Sequence, residues 1–294
     1  MKLSIMIITY NRSKEVYRAV QSCIPFMNEE MEVVIVDNCS PDNTKEILVP
    51  YLKSTKVNHI YHHSELNLGV AGGRNLAFSL CKGDYVFSLD DDAVIVTEDF
   101  FNKMIQFMDD HPKVVAAEVN ILEPETKTSL NSRFRYRSKE LDYDFIRSFC
   151  GCAHVLRRSF YEGQPLYPKK LFFGSEELYP SLKAWGEDQH VASIDDLTIH
   201  HLPSVINRYV GKDRIFYFLL NTYLIRRLMF PVYLRPILDT ILGYRLMKYK
   251  MIDSEWRKKT RVTFKERYDK AEIYRIPLRV TMTLVKRFGF LAIF

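Results

Sequence analysis

Three consecutive carboxylates, Asp90, Asp91 and Asp92, follow a short apolar run that is typical of a β-strand. Three acidic side chains at one strand end repel one another, and their burial without partners would be costly. A divalent cation removes that cost because it takes oxygen ligands from several carboxylates at once. A solvated acidic turn is the alternative interpretation of these three residues taken alone. The cluster is therefore a candidate metal site, to be weighed against the rest of the chain.

A second acidic pair and a pair of histidines occur later in the chain. Glu176 and Glu177 could supply a general base, or they could be first-turn residues of a helix that the helix dipole favours. These interpretations are compatible, because a helix start can also aim a carboxylate into a cleft. His200 and His201 end a predicted strand, on which adjacent side chains face opposite ways. The pattern therefore predicts one histidine in the core and the other as a ligand.

The elements that must position these groups alternate between strand and helix in the first 90 residues. Apolar, β-branched runs predict strands at residues 3–8, 32–36, 57–61 and 85–89. Helices are expected between these strands. Ser13 is predicted to cap the first helix and Asp42 or Asn43 the second, and the glycine-containing turn 67–75 is predicted to lead into the third. This alternation predicts an α/β fold with a doubly wound, mostly parallel sheet. Ligands of such sheets bind beyond the carboxyl ends of the strands, where the acidic triplet lies.

The later elements are less regular. A helix is predicted over residues 98–110 and strands over 114–119, 149–157 and 194–201, while residues 123–148 give no clear assignment. Ser175 is predicted to cap a helix that reaches Trp185, with Pro180 near its start.

Composition and charge narrow the class of protein. The 294 residues are 47% hydrophobic and 27% charged, which is typical of a globular protein with a full core. Residues 203–294 contain 20 Lys and Arg against 7 Asp and Glu, so this end of the chain is basic. An anionic partner is indicated: a membrane, a lipid diphosphate or a nucleic acid. Nucleic acid is the least favoured, because no recognised binding module accompanies the basic residues. The alternative to membrane contact, given equal weight, is that these helices pack on the rest of the protein and expose a basic face to solvent.

The expected location is the cytoplasm. Five cysteines lack regular spacing, so we expect reduced thiols rather than a disulfide framework or a zinc site. The N-terminus has no signal-peptide pattern, and we expect no transmembrane span because no apolar stretch reaches about 18 residues without a charge.

Several segments together resemble family-two glycosyltransferases of the GT-A fold. These are residues 4–12, 34–44, 67–75, 83–93 and 172–177, followed by Leu182-Lys183 and the run from His201 to Ser204. The resemblance covers about the first 205 residues in order and spacing. It implies a Rossmann-like GT-A domain over 1–205, with a nucleotide-sugar half at about 1–120 and an acceptor half at about 121–205. Residues 206–294 would be a helical, basic extension outside the resemblance.

The resemblance also implies a nucleotide-sugar site. Thr9 and Tyr10 would line the base pocket, Asp37 would accept a hydrogen bond from a pyrimidine N–H, and Asp90 would hold the ribose. Arg74 would face the base or the diphosphate, and Asp91 occupies the variable position of the Asp-x-Asp motif. The full predicted set is Thr9, Tyr10, Asn11, Asp37, Asn67, Arg74, Asp90 and Asp91.

The implied metal is Mg²⁺ or Mn²⁺, with Asp92, Asp90 and His201 as its predicted ligands. Glu177 matches the family's general base and Glu176 its acidic neighbour. The chain departs from the family pattern at Tyr179, where relatives often carry another acidic residue.

The resulting hypothesis is a metal-dependent, inverting transfer of a hexose to a hydroxyl of a glycan or lipid-linked acceptor in surface polysaccharide synthesis. A UDP-sugar is the favoured donor and dTDP-rhamnose the next. The enzyme would lie in the cytoplasm, peripheral to the inner face of the membrane, and its oligomeric state is left open. A nucleotidyltransferase and a catalytically silent sugar-nucleotide-binding subunit are the alternatives.

Overall fold

The computed structural model describes residues 1–206 and 211–293, so residues 207–210 of the predicted basic extension lie outside the described residues. The described chain folds around a mixed central sheet flanked by helices, which confirms the predicted α/β fold. The strands are β1 (Leu3–Thr9), β2 (Met31–Asp37), β3 (Asn58–His63), β4 (Tyr85–Leu89), β5 (Ala93–Ile95), β6 (Val114–Glu123), β7 (Thr128–Ser129), β8 (Arg135–Arg137), β9 (Asp144–Ile146), β10 (Ala153–Arg157) and β11 (His190–His201). The helices are α1 (Ser13–Cys23), α2 (Thr44–Thr55), α3 (Gly69–Leu80), α4 (Phe100–Asp110), α5 (Arg158–Tyr161), α6 (Leu178–Gly186), α7 (Gly211–Met229), α8 (Arg235–Lys248), α9 (Ser254–Arg267), α10 (Leu278–Phe288) and α11 (Phe290–Ile293).

The sheet has a parallel half and a mixed half. Its order is β3-β2-β1-β4-β10-β6-β11-β9-β8, with β5 added to β11 and β7 to β6. Strands β3, β2, β1 and β4 are parallel, whereas β10 runs antiparallel to both β4 and β6. Every residue of β2 is buried, because helices cover both faces of a parallel sheet, and this explains its continuous apolar sequence.

Two predicted helix caps are wrong, for the same physical reason. Helix α1 has no cap from Ser13; instead the backbone N–H of Ser13 donates to Asp42 Oδ2 (3.0 Å) from the next βα turn. Helix α6 begins only at Leu178, and Ser175 lies before it with φ of +64°. The Ser175 hydroxyl is used in contacts with α7, where it accepts a hydrogen bond from Thr222 (2.9 Å). In both places a long-range partner replaced the local cap.

The middle of the chain also differs from prediction. The strand expected over residues 149–157 begins only at Ala153, because residues 149–152 form a loop. Two hydrogen bonds hold this loop: Asp90 N–H donates to the backbone carbonyl of Cys152 (2.8 Å), and Cys150 N–H donates to the side chain of Glu118 at Oε2 (3.0 Å). The unassigned residues 123–148 contain the short strands β7, β8 and β9, whose exposed, polar sequences lack a clear alternation.

The C-terminal helices pack on the sheet domain. Phe216, Leu220 and Leu224 of α7 belong to the same buried cluster as the strands. Farther along, Phe288 of α10 packs edge-on against Trp185 of α6 at 5.9 Å between ring centroids. Among residues 1–206 and 211–293, no helix has both the length and the apolar composition needed to cross a bilayer.

The start of β4 allows a stability test at Gly83. A Cβ there would lie 2.5 Å from the backbone N of Ser4 and 2.6 Å from the carbonyl carbon of Leu3, so Gly83→Ala forces two strands apart. We expect a loss of about 2–3 kcal/mol in unfolding free energy, measured by urea denaturation. Gly243→Ala in α8 is the matched control, because its Cβ meets nothing within 4 Å and should stabilise by up to about 1 kcal/mol. Equal effects of the two variants would contradict this packing.

Candidate active site

A cavity of about 640 Å³ opens at the carboxyl ends of β1 and β4, large enough for a nucleotide sugar. It brings together most of the site residues predicted from sequence: Thr9, Tyr10, Asn67, Arg74, Asp90, Asp91, Asp92, Glu176, Glu177 and His201. Asn11 and Asp37 do not line it.

Strand pairing explains why distant residues meet at the acidic triplet. Strand β5 follows the triplet directly and pairs antiparallel with the end of β11, so Ala93 lies opposite His201. This register brings His201 Nε2 to 3.4 Å from Asp92 Oδ1. The backbone N–H of Ser204 then donates to Asp92 Oδ2 (3.1 Å), which ties the chain after β11 to the triplet.

Arg12 is a site residue that the sequence analysis missed. Its guanidinium lies 2.8 Å from Asp91 Oδ1 and 3.5 Å from Asp92 Oδ2, and it also donates to Ile206 O (2.7 Å). The Thr9 hydroxyl donates to the other oxygen of Asp91 (2.8 Å). Burial raises the pKa of Asp91 to about 7, although Arg12 opposes this shift. Arg12 directly follows Tyr10 and Asn11 and ends the first family motif, residues 4–12. This position was the sequence signal that could have identified it as a site residue.

Arg74 connects the triplet with the glutamate pair. The buried guanidinium lies 2.6 Å from Asp90 Oδ1, 3.3 Å from Glu176 Oε1 and 3.8 Å from Glu177 Oε1. It also donates to the carbonyl of Gly151 (2.8 Å). Burial raises the pKa of Asp90 even though Arg74 opposes the shift. One side chain thus fixes the distance between the two acidic groups of the cavity.

The two glutamates have different surroundings. The Glu176 side chain is 4% exposed and pairs with Arg74, whereas the Glu177 side chain is 20% exposed. Burial, and then the neighbouring charge of Glu176, raise the pKa of Glu177 to about 8. Glu177 is therefore the glutamate that is accessible from the cavity, and its raised pKa makes its ionised form a stronger base that predominates only above about pH 8.

Gly151 is a second residue that the sequence analysis did not assign to the site. A Cβ at this position would lie 2.0 Å from Glu177 Oε1 and 3.1 Å from Arg74 Nη1. Glycine leaves room for the carboxylate here, and any larger residue would displace the end of the Glu177 side chain. The sequence predicted only a strand over residues 149–157, so the close approach could not be inferred from it.

Asn221 of α7 supports the loop that carries the glutamates, and it lay outside every motif. Its side-chain N–H groups donate to the carbonyls of Phe173 (2.6 Å) and Gly174 (2.9 Å). Its oxygen accepts a hydrogen bond from Arg267 of α9 (2.9 Å). The loop needs such support because Gly174 has φ of +94° and Ser175 follows it at a positive φ.

Asp37 is 1% exposed, and its carboxylate already has three partners. It accepts hydrogen bonds from the Ser40 N–H (2.8 Å) and the Tyr61 hydroxyl (2.6 Å), and its Oδ2 lies 2.9 Å from His63 Nδ1. A direct bond to a nucleotide base would have to compete with these hydrogen bonds.

Asn11, the other predicted site residue that does not line the cavity, donates its backbone N–H to the Ser40 hydroxyl (2.9 Å).

Asn67 holds the turn before α3. Its side-chain oxygen accepts hydrogen bonds from Asn38 Nδ2 (3.1 Å) and from the backbone N–H of Gly69 (2.9 Å). Both asparagines line the cavity, so the turn that leads to Arg74 is fixed from the cavity side.

Two side chains suit a divalent cation at the triplet. Asp92 and His201 lie side by side, and Glu123 Oε1 is 3.0 Å from His201 Nδ1, the type of outer partner that orients a metal-binding histidine. The predicted third ligand, Asp90, is bound to Arg74 instead. No three His, Cys, Asp or Glu side chains of the described chain are grouped closely enough to hold a metal by themselves. The residues fit an ion that takes its remaining ligands from a substrate diphosphate and water.

Known proteins with a similar sequence include glycosyltransferases. Escherichia coli UDP-Glc:alpha-D-GlcNAc-diphosphoundecaprenol beta-1,3-glucosyltransferase WfaP is 33% identical over 107 residues, which are 36% of this chain and 41% of WfaP. The chain therefore spans less than half of that relative.

Two solved structures have a similar fold. Staphylococcus aureus TarS 1-349 in complex with UDP-GlcNAc superimposes with a TM-score of 0.62 at 18% identity, over 96% of this chain and 83% of that one. GalNAc-T7 with UDP, GalNAc and Mn²⁺ gives a TM-score of 0.65 at 14% identity, over 91% and 58%. These likenesses confirm the predicted GT-A fold. The family model described as glycosyl transferase family 2 matches residues 4–163, more than half of the sequence. The chain belongs to glycosyl transferase family 2.

Proposed function

We propose that this protein is a metal-dependent, inverting glycosyltransferase that moves a hexose from a nucleotide diphosphate sugar to an acceptor hydroxyl. One observation carries the proposal: a single cavity contains the acidic triplet with His201 and the accessible Glu177, and Arg74 connects the two. Direct displacement at the anomeric carbon needs these two functions, a group that stabilises the leaving diphosphate and a base for the attacking hydroxyl.

The donor would bind against the ends of β1 and β4. Thr9, Tyr10 and Asn67 line this part of the cavity and are proposed to surround the base and ribose. UDP is favoured, with dTDP-rhamnose as the second candidate; the fold neighbour TarS is named as a complex with UDP-GlcNAc. Asp37 remains a predicted base contact that requires rearrangement of its present bonds.

Asp92 and His201 would hold Mg²⁺ or Mn²⁺, and a neighbour of similar fold is named as a complex with Mn²⁺. When bound, such an ion supplies positive charge that offsets the charge developing on the diphosphate. Arg74 would keep Asp90 oriented toward the donor while it restrains the glutamate pair.

Glu177 is proposed to accept the proton of the acceptor hydroxyl as that oxygen attacks the anomeric carbon. The bond from this carbon to the diphosphate oxygen breaks in the same step, and the nucleoside diphosphate leaves. No covalent enzyme intermediate is needed, in agreement with an inverted product. Glu176, which is less accessible and closer to Arg74, would hold that guanidinium in place.

The alternatives differ in their products. A nucleotidyltransferase would release pyrophosphate, and family membership favours glycosyl transfer over that reaction. A catalytically silent binding subunit would release neither product, and Tyr179 after the glutamate pair is the feature that favours it.

The acceptor is proposed to be a surface glycan or its lipid-linked precursor at the inner face of the cell membrane. The relative WfaP is named for a diphosphoundecaprenol acceptor. Ile237, Tyr244 and Met247 are exposed apolar side chains of α8, Tyr233 is exposed just before the helix, and Arg245 and Lys248 lie in its last turn. Such a combination of side chains suits a helix lying on an anionic bilayer.

The base assignment is tested by Glu177→Gln, which keeps the size of the side chain but removes its basicity. We expect kcat to fall about 100-fold to 10,000-fold with the KM for the donor nearly unchanged. Release of nucleoside diphosphate with a saturating nucleotide sugar, Mn²⁺ and acceptor is the measurement. Glu176→Gln is the matched variant and should alter stability more than Glu177→Gln, because Glu176 is the closer partner of Arg74. Unchanged turnover in Glu177→Gln would remove this base assignment.

The pH profile provides an independent test. Glu177 must be ionised to accept a proton, and its raised pKa of about 8 means that the active form is lost as pH falls below that value. Burial sets this pKa first, and the groups that face the carboxylate are Glu176, Arg74, the backbone N–H of Glu177 and Asp90. We therefore expect kcat/KM for the donor to rise about tenfold per pH unit below about pH 8 and then level off. A flat profile between about pH 6 and 9, with the fold intact by circular dichroism, would contradict the assignment.

Membrane contact is tested by flotation with vesicles that contain anionic lipid. Replacement of Tyr244 and Met247 by Ser removes two exposed apolar side chains of α8, and we expect vesicle partitioning to fall about tenfold. Leu66→Ser is the control, since Leu66 is 70% exposed on a loop outside the C-terminal helices. Equal flotation of the two variants would argue against this docking face.

A further inference from the structure

Part of the cavity lining contains arginines but no carboxylates. This part, called here the arginine wall, comes from residues 130–134, residues 147–149 and helix α7. Its charged members are Arg133, Arg147 and Arg214. The acidic residues of the cavity belong to other segments, the triplet after β4 and the glutamate pair before α6.

The charges of Arg133 and Arg214 are not neutralised by the site carboxylates. Those carboxylates pair with Arg12 and Arg74, whereas no described carboxylate lies within ion-pair distance of Arg133 or Arg214. Asp213, the acidic neighbour of Arg214 in sequence, is paired with a lysine of α9. The wall therefore presents positive charge to the cavity.

Arg147 lies deeper and adds to this positive potential. Its guanidinium stacks over the ring of Phe134 at 4.6 Å and donates to the Ser148 hydroxyl (3.2 Å). Burial, and then the neighbouring charge of Arg245, lower the pKa of Arg147 to about 10. The same two causes, together with Arg147 itself, lower the pKa of Arg226. Arg147, Arg226 and Arg245 therefore repel one another, and an anion bound beside Arg147 would reduce that repulsion.

We infer that the arginine wall binds a phosphate ester or diphosphate group of the acceptor, beside the hydroxyl that receives the sugar. Guanidinium groups bind phosphate oxygens in pairs of parallel hydrogen bonds, which gives orientation as well as charge neutralisation. Phe134, Phe149 and Phe218 alternate with the arginines along the same lining and would contact the apolar or sugar part next to the phosphate. This inference rests on the proposed function, because it assigns the donor's diphosphate to the other end of the cavity.

The phosphate group of the acceptor can belong to a lipid-linked diphosphate or to a polyol phosphate chain, so the experiment uses one probe for each. Protein saturated with UDP and Mn²⁺, which fills the donor end, is titrated with farnesyl diphosphate or with a glycerol phosphate oligomer by calorimetry. Farnesol and glycerol are the neutral counterparts. We expect binding of at least one phosphate probe, and the probe preferred by the protein identifies the source. Binding of neither probe would overturn the inference.

The test variant carries both Arg133→Gln and Arg214→Gln. The matched control variant is Arg137→Gln. The double variant should weaken phosphate binding about tenfold or more, and binding by the wild type should also weaken as salt is raised. Arg137 lies on the same segment as Arg133 but outside the cavity, in a mostly exposed pair with Asp144, so its variant should bind normally. Affinity for UDP should be the same in all three proteins.

Two results separate this inference from the proposed function. If the double variant loses UDP affinity by the same factor, the arginines serve the donor and the inference fails. If the wild type binds the phosphate probe but not UDP, the proposed function fails while the phosphate site stands. Unchanged phosphate binding in the double variant would also refute the arginine wall.

Discussion

The buried guanidinium of Arg74 is the interaction on which the site depends. It contacts Asp90, Glu176 and the Gly151 carbonyl at once, and Glu177 lies just beyond at 3.8 Å. Carboxylates brought this close in a region of low exposure would repel one another without a shared cation. A buried cation that loses its partners is equally unfavourable. The acidic groups and Arg74 therefore require one another, and their geometry is fixed before any substrate enters.

The C-terminal helices are part of this construction. Asn221 of α7 holds the carbonyls of Phe173 and Gly174, and Arg267 of α9 holds Asn221 in turn. The loop between α5 and α6 contains successive positive φ angles at Gly174 and Ser175, and the second is unfavourable unless the surroundings impose it. Helices α7 and α9 thus support the loop that carries the glutamates, although neither helix belongs to a catalytic motif.

The sequence was sufficient to predict the structure wherever a local pattern determines it. Apolar runs that end in polar residues predicted β1, β2 and β4, and a motif set predicted that Asp92, His201 and Glu177 share a cavity. It was insufficient where a contact joins distant segments. The caps of α1 and α6 were misassigned because Asp42 and Thr222 supply partners that no local rule anticipates. Arg12, Gly151 and Asn221 were missed for the same reason, since their roles exist only once the chain is folded.

Asp37 illustrates how a motif residue can be used by the fold itself. Although burial opposes the shift, hydrogen bonds from Ser40, Tyr61 and His63 hold the pKa of Asp37 below its usual value, so it stays ionised at the edge of β2. These bonds fix the turn after β2 and link it to β3. A carboxylate can accept about four hydrogen bonds, and Asp37 receives them from the side chain and the backbone N–H of Ser40, from Tyr61 and from His63. A ligand that reached Asp37 would therefore have to displace one of these partners, which explains why this buried carboxylate lies outside the lining of the cavity.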